Sequence, residues 1–170
     1  MNETVVASVE DIEFIVDWKS TTPEHATAIK AFWLRESALD AGEKAQQRLP
    51  QVVLHAQDRS GAIVGVCTAI RSVLPHIGQP MYYYRSFVAA PWRKHGVAIS
   101  MLLRAEQCLG DFARSHGFPC IGILIEVQSV ELRTLGSQPI WPRTRFTYAG
   151  PNPAGRRLFV HYFEGATLKD

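Results

Sequence analysis

Six residues, Arg93-Lys94-His95-Gly96-Val97-Ala98, combine two cations, a histidine and small side chains, and they begin five positions after the apolar residue Val88. Pro91 lies between and stops any strand, because it cannot donate to a ladder. Gly96 lets the backbone come close to whatever lies above it. A helical pattern starts at Val97, so the unpaired N–H groups of its first turn and the positive end of its dipole would face the same place. The chemistry this suggests is anion binding. The same residues also fit a plain strand-to-helix turn with surface cations and a packing glycine, and residue types alone leave both readings open.

Other candidates are thinner. Glu126 is the one carboxylate in the apolar stretch 120–127, where burial would raise its pKa toward the range of a general base. It reads equally as a strand-end carboxylate bonded to backbone or paired with an arginine. In 81–88 there is no carboxylate. Alternation puts Tyr82, Tyr84, Ser86 and Val88 on one face, and Tyr83, Arg85 and Phe87 on the other. His95 belongs to the loop, and His55, His76 and His161 read as ordinary surface or strand histidines. Cys67, Cys108 and Cys120 are far apart with no CxxC spacing, which excludes a disulfide framework and a cysteine zinc site and predicts buried, reduced thiols and no metal.

The elements that must position these groups follow from periodicity and turn chemistry. Strand β1 is expected at 12–18. Helix α1 runs from Pro23 to about Leu39, with Thr22 as cap and Pro23 in the first turn, and α2 from Ala41 to about Leu49. Strands β2 (51–57) and β3 (62–73) form an antiparallel hairpin across Asp58-Arg59-Ser60-Gly61. Strand β4 covers 81–88. Helix α3 carries Val97, Met101, Leu102, Ala105, Cys108, Leu109 and Phe112 on one stripe and ends at His116-Gly117. Strand β5 (120–127) is apolar on both faces and, arriving after a helix, is expected to lie parallel to β4. A short helix is expected at 129–135. Strands β6 (144–149) and β7 (157–163) close the chain as a hairpin around Asn152-Pro153-Ala154-Gly155.

The chain of 170 residues, 46% hydrophobic, fits one domain, 1–170, with a substantial core. A net charge of +2, with its cations scattered, gives no footing for nucleic acid. The polar start Met1-Asn2-Glu3-Thr4 is unlike a signal peptide, and no apolar run is long enough for a bilayer. A soluble, cytoplasmic protein with no membrane partner is expected.

With the elements in order, the sequence resembles the GNAT family of N-acetyltransferases along nearly its whole length. That family's acyl-CoA signature is Arg/Gln-x-x-Gly-x-Gly/Ala, set five residues after a strand-ending apolar residue. Arg93, Gly96 and Ala98 fill its positions after Val88. The resemblance implies an α/β (α+β) fold: a mixed, mostly antiparallel central sheet with a β4-α3-β5 parallel unit and flanking helices. It implies acetyl transfer from acetyl-CoA to an amine by direct attack in a ternary complex. Amides from Lys94 through His95, Gly96 and Val97 to Ala98 would cradle the pyrophosphate, with Arg93 and Lys94 supplying charge. Main-chain groups of Phe87, Val88 and Ala89 would bond the pantetheine arm, in a gap between 84–89 and 121–127.

The resemblance also implies a glutamate on β4 and an acidic tyrosine on the helix after β5. Here the first position is Tyr82, and 129–135 contains no tyrosine. Glu126, Tyr84 and Tyr82 are then the catalytic candidates. A second alignment of Asn152 to Phe159 with the tyrosine-bearing helix puts Phe159 at the acid position, but Pro153 and Gly155 favour the hairpin. The acceptor, a small-molecule or peptide amine, is expected under the first two helices and the final hairpin, near Trp33, Glu36, Arg48, Trp141, Arg143 and Arg145. A homodimer is compatible with this reading, and so is a module that holds acyl-CoA or a partner chain without turnover.

Overall fold

The computed structural model describes residues 8–39, 41–75, 77–127 and 143–168. Seven strands form one sheet in the order β1-β2-β3-β4-β5-β7-β6. They are β1 (Glu13–Val16), β2 (Val52–Gln57), β3 (Ile63–Val73), β4 (Pro80–Val88), β5 (Gly122–Glu126), β6 (Thr147–Pro151) and β7 (Arg157–Tyr162), with helices α1 (Pro23–Arg35), α2 (Ala41–Arg48) and α3 (Val97–Ser115). Pairing is antiparallel for β1/β2, β2/β3, β5/β7 and β6/β7 and parallel for β4/β5. This is the expected mixed sheet with its parallel unit. The helix expected at 129–135 lies outside the described residues, as does Trp141. Among the described residues, no helix is long and apolar enough to cross a membrane.

The chain divides into two compact units. The first comprises Met1–Thr68 with Ser86–Cys108, the second Ala69–Arg85 with Leu109–Asp170. In the first, Thr22 caps α1 by accepting from the His25 N–H at 3.1 Å, with Pro23 in the first turn. Ile29, Phe32 and Trp33 of α1 are buried with Val52, Ile63, Val66 and Ala89, and Phe87 and Trp92 pack against them. Helix α1 stops at Arg35, short of 39, because Ser37 takes a left-handed φ of 52°. Strand β1 is also shorter than its apolar run. The N–H groups of Asp17 and Trp18 both go to the Val53 carbonyl, and Lys19 then turns left-handed at φ 59°. The β2–β3 turn is built as expected: the Asp58 carboxylate accepts from Ser60 N–H (2.8 Å), Ser60 Oγ (2.6 Å) and Ala62 N–H (3.1 Å). The Ser60 hydroxyl foremost holds that carboxyl below its ordinary pKa.

In the second unit, Met81, Ile121, Leu124, Leu158 and Val160 form the core. The final hairpin is tied by Asn152, whose Oδ1 accepts from the N–H groups of Ala154 (3.0 Å) and Arg156 (2.9 Å). Asn152 to Phe159 is therefore a turn and a strand, and the helical alignment of that segment does not hold. Gly122 of β5 faces Tyr162 of β7. A Cβ there would run into the His161 carbonyl oxygen and stand 2.9 Å from Met81 Cε. Because a neighbouring backbone cannot yield as a side-chain tip can, Gly122→Ala is expected to lower stability by about 2–3 kcal/mol in urea unfolding.

All three cysteines are free; Cys67 and Cys120 are buried and Cys108 is partly so. Burial, opposed by the Arg71 charge and a hydrogen bond with Tyr82, pushes the Cys120 thiol up to about 11 from 9.0. The unfolded chain therefore gives up this proton first as pH rises, and the thiol's contribution to stability drains away between about pH 9 and 11. Urea unfolding at pH 8 and pH 10.5 should show the wild type losing more than Cys120→Ala across that interval.

Candidate functional site

Strand β4 ends at Val88, and the next N–H, that of Ala89, is spent on the Val64 carbonyl at 2.8 Å. Ala90–Trp92 form a single 3-10 turn around Pro91, closed by Trp92 N–H to Ala89 O at 2.9 Å. Arg93 is extended, Lys94 is left-handed at φ 67°, Gly96 is left-handed at φ 83°, and α3 begins at Val97. Successive N–H groups in a turn of this kind are the backbone arrangement that can take an anion. The helix adds its own unpaired first-turn donors. Lys94, Gly96 and Ala98 are exposed, His95 is partly so, and Val97 is buried as the anchor under the turn.

Two details refine the expectations for this loop. A Cβ at Gly96 would meet nothing within 4 Å, so within the protein itself glycine is required by φ and the space over it is open. Arg93 is folded back: its Nε donates to the Val88 carbonyl at 2.9 Å and its guanidinium lies 5.2 Å from the Phe87 ring centre. The Val88 carbonyl and the Ala89 N–H, two of the main-chain groups expected to meet pantetheine, thus already have partners.

The catalytic candidates sit elsewhere, in the second unit. The parallel register pairs Tyr82 with Ile123, Tyr83 with Leu124 and Tyr84 with Ile125. Tyr82 and Tyr84 are each 5% exposed, and the Tyr82 ring lies 6.1 Å from that of Phe163. Glu126, its side chain 13% exposed, is held from two sides: Arg156 Nη1 donates to Oε1 at 2.6 Å and Tyr83 Oη donates to Oε2 at 3.3 Å. That hydrogen bond and the carboxylate charge hold the Arg156 guanidinium above its ordinary pKa. Glu126 meets neither Tyr82 nor Tyr84 in these bonds; its pairing with an arginine is one of the readings its place in the sequence allowed, while Tyr83, and which arginine it would be, are what sequence reasoning missed. The parallel register carried a signal for Tyr83, since Glu126 shares a strand face with Leu124 opposite it. For Arg156, one arginine of several in the last third of the chain, there was none.

Of the residues named around the acceptor, Trp33 is buried in the first unit's core, and Glu36 accepts from Arg35 Nε at 3.2 Å. Arg143 and Arg145 are exposed.

The sequence matches no protein-family model and no curated protein. Solved structures are similar to it over most of its length. An acetyltransferase of the GNAT family from Streptococcus pneumoniae superposes with a TM-score of 0.59 at 13% identity, covering 89% of this chain and 99% of that one. The fold is that of GNAT acetyltransferases. An N-acetyltransferase from Staphylococcus aureus gives 0.58 at 14% identity over 90% of this chain and 99% of its own. NAA60 of Arabidopsis thaliana, in complex with acetyl-CoA, gives 0.54 at 15% identity, covering 89% and 99%.

The loop geometry allows a direct check on Gly96. With open space around it, Gly96→Ala adds no clash and meets only the left-handed penalty of about 1–2 kcal/mol. Gly96→Asn, which tolerates that conformation, should lose clearly less in thermal or urea unfolding.

Proposed function

We propose that this chain is an acyl-CoA-dependent N-acyltransferase, one domain that moves the acetyl group of acetyl-CoA to an amine of a small molecule or peptide. The observation that supports the reading is the turn from Arg93 to Ala98, with left-handed Lys94 and Gly96 leading directly into the first turn of α3. The acetyl-CoA bound to a protein of the same fold supports it. In this reading amides from Lys94 through His95 and Val97 to Ala98 hold the pyrophosphate. Arg93 keeps Nε on Val88 and offers its terminal amino groups to phosphate, and Phe87 and Val88 line the path of the pantetheine arm. The amine nitrogen attacks the thioester carbonyl carbon; the N–C bond forms, the C–S bond breaks, and the thiolate takes up a proton. Tyr82, Tyr84 and Glu126 remain the candidates for moving those protons. The protein works in the cytoplasm, as a monomer or a homodimer.

One observation favours a second reading, a module that binds acyl-CoA without turnover: both oxygens of Glu126 already have partners, Arg156 and Tyr83. The two readings separate on one pair of measurements. Acetyl-CoA in excess should raise Tm by several degrees, and Arg93→Ala with Lys94→Ala should weaken its binding about tenfold or more. Release of free thiol with a panel of amines, lost in Tyr84→Phe or Glu126→Gln while the thermal shift persists, supports the enzyme. A thermal shift with no thiol release supports the module, and no shift at all refutes the coenzyme reading.

A further inference from the structure

His55, read from sequence as an ordinary strand histidine, is 1% exposed and faces Asp17, which is fully buried. Asp17 Oδ2 accepts from His55 Nδ1 at 2.5 Å, and its Oδ1 from His25 Nδ1 at 2.9 Å. The two imidazole rings meet edge to face with centroids 4.8 Å apart. The three side chains come from the end of β1, the first turn of α1 and the middle of β2, all in the first unit. One donor atom from each lies within 4.8 Å of the others.

We propose that Asp17, His25 and His55 form a binding site for a divalent transition-metal ion of the zinc class, a proposal independent of the acyltransfer reading. Three arguments meet here. Two imidazoles and one carboxylate are a donor set that suits zinc and its neighbours, whereas calcium and magnesium call for more oxygen ligands. A fully buried carboxylate calls for a counter-charge. Among the described residues no lysine or arginine pairs with Asp17, whose side-chain partners are these two histidines. Finally, the backbone under each donor is fixed. Asp17 N–H goes to Val53 O at 2.9 Å and its carbonyl accepts from Ser20 N–H at 2.8 Å. His25 N–H is capped by Thr22, and His55 is paired with Ile15 on one side and Val66 on the other.

An ionised carboxylate only accepts, so without metal each Nδ1 carries its proton. Coordination through Nδ1 moves the ring proton to Nε2, and a ring that was imidazolium releases one proton to solvent. Donor atoms around a tetrahedral zinc stand about 3.3 Å apart, so the pairs must open slightly. His25, whose side chain is 34% exposed, has room to swing, and the same exposure gives the ion its way in and leaves outer positions to water.

The test uses the whole chain stripped with a chelator. Cobalt(II) titrated as a probe should give saturable visible d–d bands of tetrahedral type at one equivalent, and zinc should displace it and raise Tm by about 5–10 °C at a hundredfold excess over Kd. His25→Ala should weaken cobalt binding at least tenfold while His116→Ala leaves it unchanged. Long-range nitrogen–proton NMR of the wild type reads the site directly: zinc should move the ring protons of His25 and His55 from Nδ1 to Nε2. Protons that stay on Nδ1 under excess zinc, or cobalt bands equal in wild type and His25→Ala, would overturn the proposal and leave a cluster held by hydrogen bonds alone.

Discussion

Two parallel strands cannot be joined by a tight turn, and most of what this molecule presents follows from that constraint. Whereas β1/β2, β2/β3, β5/β7 and β6/β7 pair antiparallel, β4 and β5 run the same way, and the chain must cross over to get from one to the other. Helix α3 is the crossover. Its N-terminus has to lie beyond the end of β4, where Pro91 has already broken the ladder. The left-handed residues Lys94 and Gly96 lie in this connection, between the 3-10 turn at Pro91 and the start of α3 at Val97.

The parts of this that depend on neighbouring residues were legible in the sequence. Pro91, Gly96 and the stripe from Val97 to Phe112 mark strand end, turn and helix, and Asp58 and Asn152 mark the two hairpins through side chains that bond their own turns. Local conformational choices also decided what was misjudged. Ser37 and Lys19 adopt left-handed backbone that their residue types do not announce, and so α1 and β1 end early. The pairings that give side chains their roles were not legible. Arg156 reaches Glu126 across thirty positions, and His55 reaches Asp17 across thirty-eight. Alternation could say which face His55 occupied, but not that a carboxylate from the end of β1 would be waiting there.

The two carboxylates illustrate opposite solutions to burial. Glu126 sits at the end of an apolar strand and is met by a guanidinium from an exposed loop, so its charge is balanced at the protein's margin. Asp17 is taken fully inside and met by imidazoles, groups whose own charge is optional. The first arrangement fixes a hairpin to a strand; the second leaves a buried centre whose charge depends on what occupies it.

The outermost strands of the sheet are β1 and β6. Strand β6 loses its regular register between Tyr148 and Pro151, with Gly150 at φ 95° and a proline that has no N–H to offer. Strand β1 is four residues long and gives way at once to the buried Asp17. Among the described residues, neither margin presents a long, flat strand to a passing chain. A sheet of seven strands is a ready template for amyloid-like growth unless its borders are spoiled. Here both are, one by brevity and one by an interrupted ladder, which favours a protein that can be crowded without adding strands from its neighbours.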